Sequence, residues 1–158
     1  MNDKFLRIRD KIEGTTILSV KITDVLPLIP DSFKTNLWLI LKLYDVRLID
    51  ISNRNALEIE EKLDKSNEEI VIVDFEELIN IFSNVLEAQE ILLIPNAHSA
   101  RLLTSNDWDY LCENCDVVIE SFDFSYVSIY IKDNSCYSKF YSEFTKIKEL
   151  DIHNYKVG

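Results

Sequence analysis

The chain has 158 residues, 47% of them hydrophobic and 28% charged, and 17 basic against 28 acidic side chains give a formal charge of −11. That apolar content supports one self-standing core and argues against intrinsic disorder, while two glycines and three prolines exclude collagen-like or linker-rich architectures. The acidity disfavours a phosphate-tracking groove and an anionic membrane surface, so neither nucleic acid nor membrane is an expected partner; basic proteins and metal cations are.

In chain order, the first twelve residues read as a short helix stopped at Gly14. Thr15 to Ile22 and Leu37 to Ile51 read as strands, and the apolar phase of the second changes around Tyr44-Asp45, where a bend, bulge or turn is expected. A helix is predicted over 54–65, with Ala56, Leu57 and Leu63 inward and Glu58, Glu61 and Asp64 outward. Ile70-Val71-Ile72-Val73 is a continuous β-branched run and reads as a buried strand. The clearest helix is 75–87, where Phe75, Leu78, Ile79, Phe82, Val85 and Leu86 share a 3.6-period face behind a capping-box start at Asp74 and Glu77. Ile91-Leu92-Leu93-Ile94 then completes a strand-helix-strand pattern, the signature of a parallel crossover.

A short helix fits 105–113, entered at Thr104 or Ser105 with Asp107 in its first turn. Residues 116–132 read as a hairpin turning between Ser121 and Ser125, with Val117, Ile119, Val127, Ile129 and Ile131 on its buried parity. Last comes an aromatic-faced helix over 134–148, capped at Asn134 and carrying Tyr137, Phe140, Tyr141, Phe144 and Ile147. Residues 1–158 are therefore expected to form a single α/β domain around a mixed β-sheet, with Leu78, Phe82, Leu92, Ile129 and Phe140 in its core.

Charge is unevenly distributed: the surplus of acids is nine in residues 58–90 and five in 91–133, whereas the flanking segments are slightly basic. Such runs usually solvate helix faces. Three cysteines, an odd number in a domain large enough to need no disulfide staples, point to a reducing compartment. The charged start lacks the apolar core of a secretion signal, and the expected location is the cytoplasm.

Chemistry-bearing motifs are sparse. Cys112-Glu113-Asn114-Cys115 has C-x-x-C spacing, but it falls at the end of a predicted helix beside Glu113 and Asp116, where helix dipole and carboxylates both raise a thiol pKa. Only Cys136, His98 and His153 remain to complete a zinc site, so the cysteines read as small apolar residues and no metal or cofactor is expected. His98, in the loop after strand 91–94 with Arg101 nearby, is a candidate general base for a small enzyme of unknown reaction, yet no Gly-rich turn, nucleophile elbow or HExxH accompanies it.

The other parity of the hairpin carries Asp116, Glu120, Tyr126 and Tyr130, and tyrosine with acid suits a surface that meets an arginine- or lysine-rich protein, unless a helix packs on those tyrosines. Asp107, Trp108 and Asp109 form a second candidate cluster nearby, in which Trp108 has the alternative role of covering the core.

Ser125-Tyr126-Val127-Ser128-Ile129-Tyr130-Ile131-Lys132-Asp133 resembles the closing hairpin of small bacterial proteins, and the chain is similar in size, acidity and Ile/Asn/Lys-rich composition to immunity proteins of polymorphic toxin and contact-dependent inhibition systems. The resemblance implies a cytosolic antidote that binds and blocks a toxin domain without chemistry of its own. Those proteins share no catalytic motif, so no residue role transfers. The expected function is therefore non-catalytic occlusion of a cationic toxin domain, such as one that acts on nucleic acid, with small-enzyme chemistry at His98 as the alternative.

Overall fold

The computed structural model describes residues 2–65, 70–95 and 105–154. In chain order its elements are β1 (Lys4–Ile8), α1 (Ile22–Val25), β2 (Trp38–Tyr44), β3 (Arg47–Leu48), α2 (Asn55–Lys65), β4 (Val71–Val73), α3 (Phe75–Ser83), β5 (Val85–Glu87), β6 (Glu90–Pro95), α4 (Trp108–Asn114), β7 (Val117–Phe122), β8 (Tyr126–Ile131), α5 (Tyr137–Glu143) and β9 (Ile147–Asp151). The fold is α/β. Seven strands form one sheet in the order β4-β2-β6-β7-β8-β1-β9, and β3 with β5 forms a small second one.

Every ladder is antiparallel, which corrects the expected mixed sheet. The strand-helix-strand unit survives in direction only: β4 and β6 run the same way but lie on opposite sides of β2. The cause is β2 itself, whose Trp38 and Ile40 are buried in one layer and Leu39 and Leu41 in the other. A strand apolar on both faces belongs inside a sheet. Register shifts between Ile40 and Lys42, leaving Leu41 as the extra residue, so the change of apolar phase begins before Tyr44; the chain then turns at Asp45, with φ 59°.

The opening segment is a strand rather than a helix. Leu6 and Ile8 face one layer and Phe5 and Arg7 the other, and β1 pairs with both β8 and β9. Period 2 with both faces buried overrides the charges that suggested helix. Thr15 to Ile22 likewise does not form a strand: a single bridge joins Lys11 and Leu18 around Gly14, at φ 75°, and α1 begins at Ile22.

Asp74 caps α3 as read, its Oδ1 accepting from the Glu77 N–H at 2.8 Å. The helix stops at Ser83 instead of 87, because Asn84 takes the C-cap and its side chain clasps Asp50 and Asn53, after which Val85–Glu87 pairs with β3. β4 is an edge strand rather than a buried one, with Ile72 56% exposed. α4 starts at Trp108 behind Asp107, later than expected, and Thr104 lies outside the described residues. The aromatic helix is shorter than 134–148. Asp133, not Asn134, caps its leading 3-10 turn; Phe144 ends it, and Ile147 enters β9.

Two apolar layers flank the sheet. α1, α2, α3 and α5 cover one face through Ile22, Ile59, Leu78, Phe82 and Phe140. On the other, Trp108, Leu111, Cys112 and Cys115 of α4 and its C-cap pack on Phe5, Leu92, Val118 and Tyr130. All five core residues expected from the sequence are buried. Asn2 fastens the start of β1, its side chain donating to the Ile131 carbonyl at 2.8 Å and to the Tyr137 hydroxyl at 3.1 Å.

Candidate partner-binding face

The hairpin β7–β8 forms with the expected parity, and Asp123 and Phe124, at φ 54° and 56°, make its turn. Left-handed φ at both central positions is the geometry that suits the twist of a tight hairpin. The face opposite the apolar parity carries Val118, Glu120 and Phe122 from β7 and Tyr126, Ser128 and Tyr130 from β8, continued by Phe5, Arg7 and Arg9 along β1 and by Lys148 and Leu150 on β9.

α4 covers one end of this face. The Trp108 ring meets Phe5 edge-on at 5.0 Å between centroids, and Tyr130 is buried beneath the helix. Tyr130 donates its hydroxyl to the Asn2 carbonyl at 3.2 Å, and burial pushes its pKa up to about 12. The surface expected from Asp116, Glu120, Tyr126 and Tyr130 is thus not assembled. Tyr130 and Glu120 are buried, Trp108 is a core residue, and Tyr126 is half-buried. Alternation fixed which way these side chains point; what covers them comes from α4, a separate segment of the chain.

The middle of the face is a buried polar row. Glu120 pairs with Ser128 across β7 and β8, Ser128 pairs with Arg7 across β8 and β1, and these residues are 6%, 0% and 3% exposed. Arg7 Nε donates to Ser128 Oγ at 3.2 Å, and its guanidinium lies 4.0 Å from the Tyr126 ring centre and 5.2 Å from that of Phe5. Arg9 approaches the same tyrosine at 5.0 Å. Tyr126 is therefore engaged by two arginines of its own chain.

What remains exposed is split by charge. Beside α4 lie Asp107, Asp109 and Asp116, expected from the sequence, together with Glu113, which sequence reading treated only as part of the C-x-x-C. Asp109 and Glu113 stand four apart on the helix and so share a side. Among the described residues, the ion pair on this rim is Asp116 with Lys132 at 3.9 Å. At the far end of the hairpin the face becomes cationic, with Arg9, Lys11, Lys146 and Lys148. Asp116, just before β7, and Tyr126, at the start of β8, sit at opposite ends of the hairpin, about 20 Å apart. The cationic end was missed although Phe5, Arg7, Arg9 and Lys11 alternate with Leu6, Ile8 and Asp10, a period-2 signal that a helical reading conceals.

The cysteines are all free and buried. Burial raises Cys115 to about 11, with the Asp116 charge adding to it, and raises Cys112 further, so both thiols stay protonated at neutral pH. Among the described residues no cluster of three or more His, Cys, Asp or Glu side chains could hold a metal, and no helix is long and apolar enough to cross a membrane. His98 and Arg101, the candidate enzymatic pair, lie outside the described residues. Compared with protein-family models, with curated proteins and with solved structures, the chain matches none.

Proposed function

We propose that this chain is a cytosolic, non-catalytic binding protein that neutralises a cationic protein domain by covering it, in the manner of an immunity protein directed against a toxin that acts on nucleic acid. The observation that carries the reading is the rim of Asp107, Asp109, Glu113 and Asp116, four exposed acids of which only Asp116 has an ion pair among the described residues. A toxin that holds phosphate must present cations, and an acidic inhibitor can engage those same cations. α4 supports the rim on a buried face of Trp108, Leu111 and Cys112, so the acids stand on a packed element rather than a loop. Exposed Glu58, Glu61 and Asp64 of α2 and Glu76 and Glu77 of α3 form the second acidic surface, the place to look if the rim fails.

The test pairs this chain with the product of the adjacent gene and follows association by stopped flow. Asp109→Lys with Glu113→Lys is expected to slow association by about tenfold or more at low salt, with the difference shrinking as salt rises. Those side chains are exposed, so the fold should be retained. A variant that associates at the parental rate and still protects cells would remove the rim from the interface.

A further inference from the structure

β9 is the outermost strand of the large sheet at the cationic end. The Arg9 N–H donates to the Lys146 carbonyl at 2.8 Å, and the Ile152 N–H to the Asp3 carbonyl at 2.9 Å. With the β1–β9 register, these bonds turn the backbone groups of Lys148 and Leu150 toward β1 and those of Ile147, Glu149 and Asp151 outward. Lys146 and Lys148 project on the same side as Arg9, and Lys11 lies beside them, its Nζ donating to the Ser125 carbonyl at 3.0 Å.

Among the described residues, none of Arg9, Lys11, Lys146 and Lys148 has an ion pair within 4.0 Å. The neighbouring carboxylate, Asp10, belongs to the opposite parity of the chain and accepts from the Thr145 N–H and hydroxyl and from the Lys146 N–H. Burial, and after it the nearby charges of Arg9 and Lys146, lower the Lys11 pKa. In a chain of net charge −11, four such cations gathered on one face of this sheet edge, with Glu149 and Asp151 on its other face, form a site of the opposite sign.

We propose that β9 is a docking edge for an acidic, extended segment of a protein partner, which adds to the sheet as a further strand and sets alternate carboxylates against Lys146 and Lys148, with Arg9 and Lys11 behind them. The spacing supports this occupant: side chains two apart on one strand recur about every 7 Å, and those on an added strand recur at the same interval. A nucleic-acid strand is disfavoured, because beyond these cations it would run onto an acidic molecule. A second copy pairing through its own β9 is disfavoured too, since antiparallel pairing through Ile147, Glu149 and Asp151 would gather the Lys146 and Lys148 side chains of both copies on one sheet face. The proposal is independent of the acidic rim and of its partner.

The probe is fluorescein-labelled hexaglutamate, followed by anisotropy at low salt, with labelled hexathymidylate as the rival and sedimentation to report self-association. Hexaglutamate is expected to bind, Lys146→Glu with Lys148→Glu to weaken it by about tenfold or more, and Lys62→Glu on α2 to change it by less than about twofold. Hydrogen exchange should show the Ile147, Glu149 and Asp151 amides gaining protection when the peptide is added. No binding at millimolar peptide, equal losses in the β9 and α2 variants, tighter binding of the oligonucleotide, self-association lost in the β9 variant, or unchanged amide exchange would each overturn the proposal. Because the substituted lysines are exposed, an unaltered thermal midpoint certifies the variant.

Discussion

On one face of the large sheet, Leu6, Trp38, Ile40, Leu93, Ile119 and Ile129 are covered by four helices through aliphatic and aromatic contacts. On the other, α4 and the turn at Ile152–Asn154 cover Phe5, Leu92, Val118 and Tyr130, and the next row carries Arg7, Ser128 and Glu120, buried but polar. The first face is a layer whose stability follows from removing apolar area from water. The second carries a buried polar row in its middle, with acids exposed beside α4 and cations at the far end of the hairpin. Both proposed binding sites lie on this second face.

The largest effect should come from the apolar layer. Phe82→Ala empties a fully packed position on α3 and is expected to cost about 3–5 kcal/mol in denaturant unfolding. A loss below about 1 kcal/mol would mean that α3 is not part of that layer. Next is Arg7→Ala on the opposite face, which removes the bond to Ser128 and the stacking on Tyr126 and Phe5. About 2–4 kcal/mol is expected. If Arg7→Leu proves as stable as the parent, the two faces are alike and the contrast between them collapses.

Legibility followed the same division. The hairpin, the Asp74 cap and the core positions Leu78, Phe82, Leu92, Ile129 and Phe140 were readable because local pattern and tertiary environment agree there. Lys4–Ile8 was misread because a buried arginine looks like a solvent-facing residue until its partners are known, and Ser128 and Tyr126 lie more than a hundred residues away. Glu120 and Tyr130 failed as surface residues for a related reason. Their direction is local, whereas their cover is α4, seated by the contact of Trp108 with Phe5. Of the candidate site, Asp107, Asp109 and Asp116 were legible as exposed acids; Glu113 stood out only as a neighbour of the C-x-x-C thiols, and Arg9, Lys11, Lys146 and Lys148 were not legible as a group, since no one stretch of sequence contains that cluster.

A smaller effect is expected at the thiols under α4. Cys112→Ser places a hydroxyl where a weakly polar sulfur was buried, at a cost of about 1–3 kcal/mol if it finds no partner. The pH dependence of Cys115 has a definite sign. Its folded pKa is raised by burial from 9.0 to about 11, so its contribution is complete below the unfolded value and is lost as pH rises from about 9 towards 11, where unfolded thiols ionise and folded ones do not. Native protein at pH 8 should react slowly with a disulfide reagent and release all three thiols in denaturant. Rapid labelling of Cys112 or Cys115 in native protein would mark local opening of α4 and weaken the second face as a stable layer.

The smallest effect belongs to Asp10, which joins β1 to the approach to β9. Burial acts to raise its pKa, but bonds from the Thr145 N–H, the Lys146 N–H and the Thr145 hydroxyl outweigh it, and the net shift is downward. A depressed carboxyl stabilises the fold above its unfolded pKa and loses that contribution as pH falls through the folded value. Asp10→Asn should therefore lower stability at pH 7 by no more than about 1 kcal/mol, because the group is partly solvated, and should flatten the acid limb below about pH 4. The same substitution bears on the docking edge. If the clasp sets Lys146 beside Arg9, hexaglutamate affinity should fall even though no lysine has been removed, and Asp10→Glu, which keeps the charge but changes the reach, should recover part of it. Loss of acid dependence with unchanged peptide affinity would leave Asp10 as a stability clasp alone, with Lys146 held in place by the β1–β9 ladder.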